Sequence, residues 1–110
     1  MAELGADSAA EVTIATRTDP AGVPMIALAG ELDSSNAASL EAAVASVTSQ
    51  HLDRLIFDLS ALRFMDSAGI SVLIGAAAKV DAVELRDPSQ VVRRVIELTG
   101  LTDVLSVKPR

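Results

Sequence analysis

From Ser67 to Ala78 the chain reads SAGISVLIGAAA, twelve consecutive residues without a charge. The run is shorter than the roughly 18 uninterrupted apolar residues that a membrane span needs. It must therefore bury itself against the rest of the chain. Ala76, Ala77 and Ala78 favour helix, and Asp66 stands where a cap belongs, so Ser67 to about Lys79 reads as a helix lying on a sheet. Gly69 and Gly75 cost a helix stability and are expected to mark close backbone approach. The sheet is supplied in part by Leu52 to Leu59 (LDRLIFDL). Its run Leu55-Ile56-Phe57 is typical of a strand covered on both faces. Phe57 and Phe64 are the only aromatics among 110 residues. The core is therefore expected to consist of Leu, Ile, Val and Ala, which suits tight helix-on-sheet packing.

The remaining segments extend this pattern. Residues 1–10 are small and acidic without period and read as a flexible tail, leaving 11–110 as a single domain. Glu11 to Thr18 alternates in the manner of an edge strand. Asp19-Pro20-Ala21-Gly22 supplies turn chemistry, and Val23 to Ala29 returns as the second strand of a hairpin. Pro24 lacks an N–H and belongs near that strand's start. Gly30-Glu31-Leu32-Asp33 ends the strand, and Ser34, Ser35 and Asn36 are good caps for a helix from Asn36 to Ser49. Ala82 to Arg86 reads as a short strand. Asp87-Pro88-Ser89-Gln90 then reads as cap, helical proline and capping-box glutamine. Gly100 stops that helix, and Val104 to Val107 forms a last strand. The order β-β-α-β-α-β-α-β predicts an α/β fold, a mixed sheet with packed helices.

Composition excludes several function classes. There is no cysteine, so disulfides, thiolate metal sites and cysteine nucleophiles are out. The single histidine, His51, reads as a solvated loop residue, and no metal site is expected. The net charge of −6 argues against nucleic acid or an anionic membrane as partner. The start, MAELGADSAAE, lacks a basic segment followed by an apolar one, so no signal peptide is read and a cytoplasmic location is expected.

Asp66 and Ser67 stand at the junction of a buried strand and a helix N-terminus, where sites form in open sheets. On local pattern the pair is a cap. It is equally a place where a phosphate on Ser67 would meet unpaired helix N–H groups and the positive end of the dipole. A nucleophilic serine lacks partners: there is no G-x-S-x-G, and the one histidine lies elsewhere. Asp58 and Asp66 without a third oxygen donor are a poor metal signal. The chain is thus expected not to be an enzyme and to need no cofactor.

Three stretches in order carry a resemblance: LAGELDSSNAASLEAAV (28–44), LIFDLSALRFMDSAGISVLIG (55–75) and DPSQVVRRVIELTGL (87–101). Together they resemble the anti-sigma factor antagonists, the stand-alone form of the STAS domain. The resemblance implies a STAS-like fold and matches Ser67 to the family's regulated serine in D-S-x-G. It implies a partner-binding surface at Asp33, Ser34, Asp66, Ser67, Ala68 and Gly69. It further implies partner switching. The unmodified protein holds an anti-sigma factor that is also a serine kinase, a sigma factor is released, phosphorylation ends the complex, and a serine phosphatase resets it. The alternative implied by the same fold is a constitutive scaffold subunit, as in a lipid-transport complex, with Ser67 as a cap only. The chain is several residues shorter than the family between Gly75 and Pro88, which predicts a truncated helix or strand there. It stops at Arg110, where many relatives continue into a final helix, which predicts an apolar surface open to a second copy, as a homodimer, or to another partner.

Overall fold

The computed structural model describes residues 11–100 and 106–108. The expected tail and the first half of the expected last strand, Val104 with residue 105, lie outside the described residues. The elements are β1 (Val12–Thr18), β2 (Pro24–Leu32), α1 (Ala37–Val47), β3 (Leu52–Met65), α2 (Ser67–Ala77), β4 (Val80–Arg86), α3 (Gln90–Leu98) and β5 (Ser106–Lys108). The strands form one sheet in the order β1-β2-β3-β4-β5. β1 and β2 are an antiparallel hairpin, and every later pairing is parallel. The hairpin turn closes on Asp19, whose Oδ1 accepts from the N–H groups of Ala21 and Val23, both at 2.9 Å.

The core lies on one face of the sheet. Ile26, Leu28 and Leu32 of β2, Leu55, Phe57 and Leu59 of β3, and Val83 and Leu85 of β4 meet Leu40 and Val44 of α1, Ile70 and Leu73 of α2, and Val92 and Ile96 of α3. The run Leu55-Ile56-Phe57 is buried on both faces, as expected. Ile56 is fully buried, yet it stands outside that cluster. It points to the opposite face, beside Glu84 of β4 in register. There Glu84 is 9% exposed, and its carboxylate accepts from Arg54 Nη2 at 3.0 Å and Arg86 Nε at 2.8 Å. The register neighbours of Ile56 are Met25 of β2 and Glu84 of β4, so on this face it stands among long side chains and an ion cluster. A buried carboxylate is tolerable because two guanidinium groups neutralise it.

β3 runs to Met65, six residues beyond the expected end. Its buried apolar positions are spaced by two through Leu55, Phe57 and Leu59, then by three through Leu62 and Met65. A strand keeps one face inward at that spacing only by inserting extra residues. The pairing with β2 does so, with register shifts between Ala27 and Ala29 and between Gly30 and Glu31. The broken period hid the continuation. Gly30 has φ +101, a conformation that glycine adopts freely, and it lies beside the second shift.

The cap of α3 and the segment between Gly75 and Pro88 also differ from expectation. α3 is capped by Ser89, whose Oγ accepts from Val92 N at 3.2 Å, and not by Asp87. Asp87 instead turns the chain at φ 56 while its N–H donates to Lys108 O at 2.7 Å, so it still serves the sheet edge. Neither α2, with 11 residues, nor β4, with 7, is reduced to a stub. The short part is the connection, residues 78–79, where Lys79 N donates to Ala76 O at 2.9 Å.

Candidate functional site

Register builds the site. Leu32 pairs with Met65 at the carboxyl ends of the parallel strands β2 and β3. The residues that follow, Asp33 and Asp66, therefore leave the sheet side by side. Asp66 N donates to Leu32 O at 3.2 Å and ties the two ends together. The expectation that the G-E-L-D turn and the D-S-x-G motif share one end of the fold is met.

Asp66 is the cap of α2, with its Oδ1 accepting from Ala68 N at 2.9 Å. Ser67 is the first helical residue and is exposed. Its carbonyl accepts from Ser71 Oγ at 3.1 Å. Asp33 Oδ1 accepts from both Ser35 N at 2.8 Å and Ser35 Oγ at 2.6 Å. The Ser35 hydroxyl first, and its N–H second, hold the Asp33 carboxyl below the ordinary carboxylate range, so it is an anion at neutral pH. Ser34 is exposed beside it. Asn36 does not cap α1 with its side chain. It clamps the strand end instead, accepting from Asp33 N at 3.0 Å and donating to Glu31 O at 2.9 Å.

Ala68 is half-buried and Gly69 is buried, so Gly69 offers no surface. A Cβ on Gly69 would sit 2.7 Å from Leu32 Cδ2 and 2.9 Å from Met65 Sδ. This glycine lets α2 settle onto the ends of β2 and β3. Gly75 was expected to do the same, but a Cβ there meets nothing within 4 Å. The two glycines should therefore respond oppositely to alanine. Gly75→Ala is expected to gain about 0.5–1 kcal/mol from helix propensity. Gly69→Ala is expected to lose about 1–2 kcal/mol net, because overpacking outweighs the same gain. Urea unfolding of both variants checks this, and shifts of the same sign contradict the packing described.

The exposed side of α2 is a stripe of Ser67, Ser71, Ile74, Gly75 and Ala78, all without charge. Ile74 is 36% exposed, and Phe64, two residues before Asp66, is 42% exposed. Motif reading missed Ser71, Ile74 and Phe64. Helical spacing from Ser67 would have found the first two. Asp58 does not join Asp66: seven residues of extended β3 separate them, and Asp58 Oδ1 accepts from Ser60 N and Oγ at 3.1 and 2.8 Å. His51 lies at the opposite ends of the strands, exposed, with Nε2 3.6 Å from Asp53 and 3.7 Å from Asp81. Among the described residues no helix is long and apolar enough to cross a membrane.

The sequence matches the STAS domain family over residues 14–110. The chain belongs to that family. It is 34% identical over 97 residues to the anti-sigma-F factor antagonist RsfB of Mycobacterium tuberculosis, an alignment covering 86% of this chain and 80% of that one. Its fold resembles the crystal structure of an anti-sigma factor antagonist from Mycobacterium paratuberculosis, with TM-score 0.83, 28% identity and coverage of 91% and 87%. It also resembles the anti-sigma factor antagonist SpoIIAA in its unphosphorylated form, with TM-score 0.68, 26% identity and coverage of 90% and 87%. The family assignment accounts for the mixed sheet with helices that the sequence predicted.

Proposed function

We propose that this STAS protein is an anti-sigma factor antagonist whose binding to an anti-sigma factor is switched by phosphorylation of Ser67. The observation that carries the reading is the uncharged, exposed stripe of α2, which begins at Ser67 and is bordered by Asp33 and Asp66. A chain of net charge −6 that keeps one helix face free of charge has a surface that a partner can cover without burying an ion. The relatives support the same reading, since RsfB is named an antagonist of an anti-sigma-F factor. One was solved in a form called unphosphorylated.

A phosphate on Ser67 adds about −1.5 to −2 charges at the edge of that stripe. The protein itself accommodates it, because first-turn N–H groups of a helix lack intrahelical partners and the dipole is positive there. A docked partner would have to bury the phosphate next to two carboxylates. The kinase is the anti-sigma factor itself, a serine phosphatase reverses the modification, and the chain contributes an acceptor hydroxyl and no catalysis. The test is phosphate transfer from ATP by the anti-sigma factor to the purified chain. Expected is one phosphate mapped to Ser67, and none on Ser67→Ala. Equal incorporation into the alanine variant would return Ser67 to a plain helix position.

A further inference from the structure

The outer edge of β1 has no strand paired to it along its whole length among the described residues, since β1 pairs with β2 alone. The hydrogen bonds at both ends of the hairpin fix its direction. Glu31 N donates to Glu11 O at 2.8 Å, and Asp19 N donates to Val23 O at 2.9 Å. Odd-numbered residues thus face β2. By alternation, Val12, Ile14, Thr16 and Thr18 turn their N–H and C=O groups outward. Edges are commonly blunted by proline, bulges or inward-pointing charges. β1 contains no proline, its register with β2 runs without a shift, and its inward residues Val12 and Ile14 are apolar.

We propose that this edge binds a second copy of the chain, antiparallel, across a twofold axis at Ile14. In that register Ile14 exchanges two hydrogen bonds with its own copy, and Val12 and Thr16 exchange two more on each side, about six in all. The odd positions then place Glu11 opposite Arg17 of the second copy, and Arg17 opposite its Glu11. Both side chains are exposed and both lie on the face away from the core. A slip of two residues either way leaves both charges without an opposite. A slip of one sets outward groups against inward ones. The charges therefore select one register. A single strand pair is a small interface, which makes the dimer reversible.

Sedimentation equilibrium of the full chain tests this, up to about 1 mM, the weak end of specific association. Expected is a monomer–dimer equilibrium. Thr16→Pro removes an outward N–H that β2 does not use, so circular dichroism should stay unchanged while dimerisation weakens at least about tenfold. Arg17→Glu should weaken it at least about threefold, and Glu11→Arg combined with Arg17→Glu should restore it. A monomer at every concentration overturns the proposal, as does a dimer insensitive to Thr16→Pro or a charge swap that fails to rescue. The proposal does not depend on Ser67, and a negative result leaves the phosphoswitch standing.

Discussion

Ser67→Asp is expected to weaken binding to the anti-sigma factor by roughly 30-fold to several thousand-fold. The range follows from the 2–5 kcal/mol lost when a charge is buried in an interface without a partner. The geometry places this charge badly for docking. Asp66 immediately precedes it, and Asp33 leaves the neighbouring strand at the paired position. The Asp33 carboxyl is already anionic at neutral pH, because the Ser35 hydroxyl and N–H stabilise its charge. Ser67→Ala, which adds no charge, should bind like the unsubstituted chain. Titration calorimetry of both variants against the same partner separates charge from loss of the hydroxyl. Equal affinity of the aspartate and alanine variants would contradict the electrostatic account.

Phe57→Ala is expected to cost about 3–5 kcal/mol of stability. Small domains have roughly 5–15 kcal/mol in total, so this single change removes a large share. Phe57 is fully buried, and in register it lies between Ile26 of β2 and Leu85 of β4, beneath the helices. Aromatic volume is scarce in this chain, and the aliphatic neighbours cannot expand to fill the void. Ile56→Ala is a useful control. Ile56 is equally buried but lies on the face shielded by Glu84, Arg54 and Arg86. Its loss should fall at the low end of the large-to-small range, about 2 kcal/mol, because flexible charged side chains can close over the gap. Urea midpoints for the two variants measure the difference, and equal losses would contradict a core confined to the helix side.

Much of this architecture was legible in the sequence, and what was missed has physical causes. The turn at Asp19, the helix of the uncharged run and the helix after Pro88 each carry local signals that tertiary packing does not override. The second half of β3 carries none. Its inward positions change spacing from two to three at the bulges, a pattern that no simple periodicity reports. Leu55-Ile56-Phe57 is buried on both faces as its apolar run implies, but the run does not say what covers each face. A continuous apolar run does not distinguish a strand covered by helices on both faces from one shielded on its second face by ion-paired side chains. The cap of α3 was misplaced because Asp87 and Ser89 are both good caps. The choice was made by a hydrogen bond from Asp87 to β5, which begins nineteen residues later in the chain. At the site, the motif located Asp66 and Ser67. The nearness of Asp33 required the parallel register of β2 and β3. The opposite roles of Gly69 and Gly75 required knowing which side of α2 faces the sheet.

The most direct measurement takes the protein from its native host, separates the partner-bound pool from the free pool, and determines intact mass and modified site in each. The account predicts an unmodified Ser67 in the bound pool and phosphoserine at position 67 in the free pool, reverting on phosphatase treatment. Phosphorylated Ser67 present in equal proportion in both pools would contradict it.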